Sequence, residues 1–431
     1  MRKTGEIRYG ASPWQALLLV PLAVCVIGSI LLLLVTPIPK AAMRENTLAS
    51  AEQLEEAGMY PLIQLPSAPM TYVEDTYTER VMIEEAYTMD RPVRVFLKPQ
   101  VPAGEGKVMQ SLFDAVDGVE PVGGYSRYWM GFRIWLRPML CLADLNQMHM
   151  LFAAICFLLF IGNVITLSGR NSGATALGFA AACFLVEPYS ISHSLQYMSC
   201  FLMMLVFCLL LNRRDWTLWD RETWICFCLF GAVTQFFDFY NNPLVTCVFP
   251  LLMLIDRDGG ERRGRLLRIL QLALAWLISY VITWLVGLLC VTLFTPQNGF
   301  ALAFESVLER FGVGDFRDPQ YSYSPREALW AVYWRATTRI FGVYLPAPAF
   351  AALILLTAGL IAAARIRSLS WGKTAEYLAI GALPLVWAAA TAQPTIIHVC
   401  FQYRVISGTY FAYFLMLAGC IRALKSKGRR A

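Results

Sequence analysis

Long apolar runs alternate with short polar breaks along most of this chain. A helix needs about 20 mainly apolar residues to cross a bilayer. Ten runs approach that length: 14–36, 149–168, 173–191, 194–212, 222–240, 242–256, 268–294, 347–365, 376–393 and 403–423. The sixth is short and opens on Asn241-Asn242-Pro243, which predicts a tilted or re-entrant segment. The seventh is long enough to tilt or to extend past the bilayer. The first exceeds the roughly 7–15 apolar residues usual in a signal peptide. It therefore reads as an uncleaved anchor, despite PKAA at 39–42. The expected fold class is an all-α polytopic membrane protein with about ten transmembrane helices and two extracytoplasmic loops carrying short interfacial helices.

Two polar intervals, 37–148 and 295–346, break the apolar rhythm. They divide the chain into an N-terminus with the first span (1–36), a first loop (37–148), spans two to seven (149–294), a second loop (295–346), and spans eight to ten with a basic tail (347–431). In the first loop NTLASAEQLEEAGMYP predicts a helix ending near Gly58, and DTYTERVMIEEAY a helix starting at Asp75 or Thr76. KVMQSLFDAVDG predicts a third, stopped by glycine. In GYSRYWMGFRIWLRPML, residues 124–140, helical spacing sets Arg127, Arg133 and Arg137 on one arc. Tyr128, Trp129, Phe132, Trp135 and Leu136 fall on the other, the pattern of an interfacial helix. SPREALWAVYWRATTRIF in the second loop predicts another, carrying Arg326, Arg335 and Arg339. Ser324 and Glu327 have the spacing of a capping box at its start.

Composition agrees with the pattern: 57% of the 431 residues are hydrophobic and 15% charged, against about 25% charged in soluble domains. The net charge of +6 matters through its location. MRKTGEIR, NRRDW (212–216), DRDGGERRGRLLR (256–268), ARIRS (364–368) and RALKSKGRR all fall on one side of a ten-span chain. The positive-inside rule makes that side cytoplasmic, with both termini there. Topology then accounts for the basic residues, and no nucleic-acid partner is expected. The expected location is the inner or plasma membrane, multi-pass. The twelve cysteines sit mostly in apolar runs without a CxxC, which excludes a disulfide framework and a zinc site. Asp256-Arg257-Asp258 has the DxD spacing of some metal-nucleotide sites, but it lies in an arginine-dense loop without a βαβ context. No GxSxG, P-loop or HExxH occurs.

Ionisable groups within or beside spans are functional candidates by default. Here they share the level opposite the basic loops: Glu187 and His193 beside the third span, Asp238 and Asn241 beside the fifth, His398 and Arg404 between the last two. Asp75 and Glu79 in the first loop face the same side. Acid, imidazole and guanidinium converging there suit an anionic headgroup and a hydroxylic acceptor, with a carboxylate as general base and arginine on phosphate.

The pieces DTYTERVMI, RYWMGFRIWLRP, FFDFYNNPLVT and HVCFQYRVISGTYFA, from Asp75 to Ala412, resemble in type and order those of GT-C membrane glycosyltransferases, within a group of bacterial polytopic proteins. That group tends to carry aspartate where this chain has Glu79, and histidine where it has Met130. The resemblance implies a polyprenyl-phosphate sugar donor in the lipid bilayer and an envelope glycan or lipid as acceptor. It implies Asp75 as general base, Glu79 assisting it or holding a divalent metal, and Arg404 and Arg127 on the donor phosphate. Arg133, Glu187, His193, Asp238, Asn241 and His398 complete the expected substrate-binding set. The alternatives are a transporter or flippase, or a polymerase or ligase, for lipid-linked saccharides.

Overall fold

The computed structural model describes residues 13–64, 71–98, 100–102, 109–122, 124, 126–186, 191, 193–238, 242–258, 264–311, 324–338, 356–362 and 370–425. Most of the eighth apolar run, together with Glu187, Asn241 and Arg339, lies outside these residues. Among them the chain is almost wholly helical; a small antiparallel ribbon pairs β1 (Leu62–Gln64) with β2 (Thr71–Val73).

Among the described residues five helices are long and apolar enough to cross a membrane: α1 (Pro13–Val35), α7 (Leu145–Arg170), α9 (Leu195–Arg213), α12 (Arg265–Phe294), and Tyr403–Arg422, which takes in most of α18 (Ser407–Lys425). Apart from the eighth, the other runs give helices that are shorter or more polar. α8 (Gly173–Phe184) has 12 residues, α10 (Arg221–Phe237) 17 and α11 (Val245–Arg257) 13; α15 (Trp371–Ala390) opens with Lys373 and Glu376 in its first two turns. α16 (Ala392–Ile397) and α17 (Val399–Gln402) are single turns that lead into the last long helix. Of the ten expected spans, five give helices of that length and apolarity among the described residues. The physical reason is visible in α11: Val245 through Ile255 are all buried, so this helix packs inside the protein instead of spanning a lipid layer on its own. Close packing inside needs small residues. A Cβ at Gly231 of α10 would collide with the Trp276 backbone of α12, and one at Gly131 with Phe236.

The bundle has two polar ends. At one, basic residues are tied to carboxylates and chain carbonyls. Asp256 accepts from Thr175 (2.6 Å), Tyr377 (3.0 Å) and Asn171 (3.1 Å), and Arg422 approaches it at 3.5 Å. Arg265 pairs with Glu376 at 3.1 Å, Arg170 with Asp215, and Arg257 and Arg268 donate to carbonyls of the α9–α10 link, Arg257 to Arg214 and Trp216 and Arg268 to Leu218. At the other end the first polar interval forms a folded segment. It comprises α2 (Lys40–Ala57), the ribbon, α3 (Thr76–Thr88), α4 (Arg94–Leu97), α5 (Gln110–Val116) and α6 (Arg133–Leu140). α2 stops at Gly58, whose φ of 74° is left-handed, as a glycine at a helix C-terminus predicts. One core runs from Met43, Leu54 and Met82 of this segment to Phe179, Phe249 and Phe411 of the bundle. The second polar interval gives α13 (Gly299–Phe311) and α14 (Pro325–Thr338). α14 opens with the expected capping box: the Ser324 amide donates to the Glu327 carboxylate at 2.7 Å, and the Glu327 amide to the Ser324 hydroxyl at 3.3 Å.

The expected interfacial helix at 124–140 is corrected here. Only Arg133–Leu140 is helical, and Tyr128, Trp129, Phe132 and Leu136 are core residues. Arg133 and Arg137 are fully buried instead of facing an aqueous surface. Arg137 donates to the carbonyls of Val35, Thr36 and Ile38 after α1 and of Ala86 and Tyr87 in the last turn of α3. A guanidinium has five N–H donors, and five carbonyls meet them. Burial draws its pKa down to about 10, so it stays cationic at neutral pH. Arg133 binds the carbonyls of Arg94, Val95, Trp129 and Met130 and lies 3.8 Å from Glu85. Amphipathic spacing marks any arginine row set against an aromatic row; carbonyl oxygens solvate these two as water would have done.

Replacing Arg137 by methionine strands the carbonyls of Thr36, Ile38, Ala86 and Tyr87, each unsatisfied group costing about 1–3 kcal/mol, while Val35 keeps its bond from the Ile38 amide. The expected loss of stability is at least about 3 kcal/mol, measured as a lowered midpoint in denaturant titration of the detergent-solubilised protein. A loss below about 1 kcal/mol contradicts the role assigned to this side chain.

Candidate functional site

Asp75 lies two residues past the β2 strand and caps α3: its carboxylate accepts from the Thr78 amide at 3.1 Å. Aspartate is a favoured cap because its oxygen takes up an otherwise unpaired N–H of the first turn. The carboxyl is enclosed, 3% exposed. Burial pushes it up to about 6; the Thr78 hydrogen bonds oppose the rise, Glu79 adds to it and Arg404 offsets it.

Glu79, one turn on, is almost fully buried. One of its oxygens accepts from His149 Nε2 at 2.7 Å and from the Leu195 amide at 3.0 Å. Leu195 is the first residue of α9, so Glu79 answers an open N–H at a helix N-terminus, where the helix dipole also favours negative charge. The contact joins α3, α7 and α9. Thus Glu79, expected to assist Asp75 or hold a metal, has this oxygen committed to a tie between helices. Among the described residues no three His, Cys, Asp or Glu side chains are placed to hold a metal ion.

Arg404 lies in a 3-10 turn, Tyr403–Ile406, and is buried. Its guanidinium stands over the rings of Tyr197 and Tyr403, 5.2 Å from each centroid, a cation–π setting. Asn242 donates to its carbonyl at 3.4 Å. Asp238 ends α10 and accepts from the Cys200 thiol at 3.1 Å, one turn along α9 from Tyr197. The His193 ring lies 5.4 Å from His149, tilted at 52°, and His398 stacks at 5.6 Å on Phe401, which contacts Tyr197 and Tyr60 in turn.

The structure therefore gathers Asp75, Glu79, His193, Asp238, His398 and Arg404 around the first turns of α9. Arg133 belongs to the carbonyl network described above. Arg127 lies over the Tyr128 ring, next to Ser126, which bonds to Leu97 and Gln297 on the α4 and α12 side. Glu187 and Asn241 fall outside the described residues. His149 is the functional residue the sequence reading missed. Its signal was modest: it is one of three histidines in the chain, and it stands where the second apolar run begins, at the level of His193. Met130, where the resembling group tends to have histidine, has a left-handed backbone with φ of 54° and a buried side chain; its carbonyl serves Arg133.

No family model matches the chain, and no curated protein or solved structure matches it.

The charges around Asp75 fix the direction of two shifts in its ionisation midpoint of about 6. Arg404→Met removes a nearby cation and moves the midpoint up. Glu79→Gln removes a nearby anion and moves it down. Isotope-edited infrared titration of the Asp75 carboxyl reads both; a midpoint indifferent to both variants disproves the electrostatic coupling.

Proposed function

We propose that the chain is an integral membrane glycosyltransferase that moves a sugar from a polyprenyl-phosphate donor to an envelope glycan or lipid on the outer face. In this reading the helical bundle crosses an inner or plasma membrane, with the buried α11 packed inside it. The basic end of the bundle and both termini are cytoplasmic, and the folded segment 37–148 is extracytoplasmic. The net location of positive charge supports that orientation.

The observation that carries the chemistry is Asp75: a buried carboxyl with its midpoint near 6, at the end of the bundle where Arg404 lies. A general base works best when its pKa is near the working pH, ionised yet still able to take a proton. The acceptor hydroxyl attacks the anomeric carbon of the donor sugar, and Asp75 removes its proton. The bond from that carbon to the phosphate oxygen breaks, and the electron pair leaves with the phosphate. Arg404 neutralises the charge that collects there, and attack from the face opposite the leaving group inverts the anomeric centre. The rings of Tyr197 and Tyr403 hold the Arg404 cation in place before substrate arrives.

A transporter for the same lipid would need ionisable groups near mid-depth. Within 14–35, 150–169, 195–212, 269–294 and 405–421, which form most of the five long apolar helices, there is no Asp, Glu, Lys or Arg. The acidic groups of this protein cluster at the two ends.

Asp75→Asn is the decisive variant, because asparagine caps a helix as well as aspartate does. The protein should fold with an unchanged melting midpoint. Its transfer of radiolabelled sugar from a panel of polyprenyl-phosphate donors, in lipid nanodiscs, should fall by roughly 100-fold or more. For the wild type the rate should rise with pH through about 6, because the ionised form is the base. Full transfer by Asp75→Asn would discard Asp75 as the base; absence of transfer by wild type across the panel would sink the enzyme reading.

A further inference from the structure

An aromatic cluster stands next to Asp75, and its construction is unusual. Tyr60 has a left-handed backbone, with φ of 57°, which side chains other than glycine adopt only at a cost. Thr76, the neighbour of Asp75, holds it there. The Thr76 hydroxyl accepts from the Tyr60 amide at 3.1 Å and donates to the Gly58 carbonyl at 2.8 Å. The strained turn sets the Tyr60 ring 6.2 Å from Tyr77 and 6.0 Å from Phe401. Tyr77 sits two residues past Asp75, with the Arg80 guanidinium 5.2 Å from its ring. Phe401 also meets Tyr197 and His398, both at 5.6 Å.

Burial divides these five rings into two groups. Phe401 and Tyr197 are buried and form a floor, with Arg404 over Tyr197. Tyr60, Tyr77 and His398 are half-buried, so each keeps part of its ring accessible. A plain hydrophobic core would be satisfied by the first group. The second is a partly open aromatic surface with hydroxyl and imidazole groups on it, beside a carboxyl that titrates.

We infer that Tyr60, Tyr77 and His398 form a subsite for a pyranose ring of the acceptor. This rests on the glycosyltransferase reading and narrows it: the acceptor presents a sugar, not a bare lipid hydroxyl. The chemistry follows from the ligand. One face of a pyranose is lined with C–H bonds and is apolar, and it lies well on the negative face of an aromatic ring. Its rim of hydroxyls needs hydrogen-bonding groups at the edge, which the two tyrosine hydroxyls and the imidazole supply. A ring seated there brings a hydroxyl toward Asp75, two residues from Tyr77 in the chain.

The test is binding by saturation-transfer NMR on the full-length protein in nanodiscs made of phospholipid, without sugar detergents. The probes are the methyl pyranosides of glucose, galactose, mannose and N-acetylglucosamine. At least one should receive saturation at its ring C–H protons. Tyr60→Ala and Tyr77→Ala should each weaken its binding by roughly tenfold, while Tyr60→Phe, which keeps the ring, stays within about threefold of wild type. No transfer to any of the four probes overturns the subsite, as does transfer that both alanine variants leave unchanged. The readout needs no donor. A protein that binds a pyranoside through these tyrosines yet transfers no sugar would keep the subsite and reject the enzyme, whereas transfer without such binding would do the reverse.

Discussion

Arg137 is the constraint on which the placement of the folded segment depends. A helix leaves its last four carbonyls without intrahelical partners, and a buried end must find others. α1 and α3 both end in the interior, and the same guanidinium serves carbonyls at both ends. The first span and the helix that carries Asp75 are thereby fastened at their C-termini. α3 has 13 residues. At roughly 1.5 Å per residue that is about 20 Å. From the Arg137 knot it reaches to the first turn of α9, where Glu79 takes the Leu195 amide. The charge on Arg137 is costly to bury alone; among carbonyls its five donors are all answered, so the cost is offset and the geometry is rigid.

At the far end of α3 two helix N-termini meet, those of α3 and α9. Each carries partial positive charge and open N–H groups. Two carboxylates answer them, and the structure divides the work. Glu79 holds the Leu195 amide and His149, joining three helices through one oxygen. Asp75 caps its own helix and has no comparable ion pair at hydrogen-bond distance among the described residues, so its charge is opposed mainly by burial. That difference explains why a capping aspartate, normally an acid of low pKa, titrates near 6 here. The same environment that makes it a poor structural carboxylate suits the general-base role proposed for it.

Much of this was legible in the sequence where local rules decide. Gly58 and Asp75 delimit α2 and α3 because chain geometry at a C-terminus wants glycine and at an N-terminus wants a short oxygen-bearing side chain. The level shared by Asp75, His193, Asp238, His398 and Arg404 followed from counting apolar runs. What local rules did not decide was burial. The arginines at 133 and 137 have the spacing of a surface helix, and only the positions of α1 and α3 show that carbonyls surround them. α11 reads as a weak span because an internal helix needs neither the length of a membrane crossing nor an unbroken apolar run. His149 looked like the flank of an apolar run, since its partner Glu79 is 70 residues earlier in the chain.

The two polar ends differ in a way that bears on function. α9, which links them, has 19 residues. At roughly 1.5 Å per residue it spans about 28 Å, close to the thickness of a bilayer's hydrocarbon core. At the basic end Asp256 is held by Asn171, Thr175, Tyr377 and Arg422, Glu376 by Arg265, and Lys373 donates to the Asp256 carbonyl at 2.7 Å. Charges met in this way hold α8, α11, α12, α15 and α18 together. They leave the DxD pair as structure, its first carboxylate taken up by three neutral donors and an arginine. At the other end Asp75 is buried, and its chain neighbours Thr76 and Tyr77 meet Tyr60, which like Tyr77 is half-buried. The acid that burial raises and the half-buried rings share the end capped by residues 37–148, the end that the proposed reaction would use.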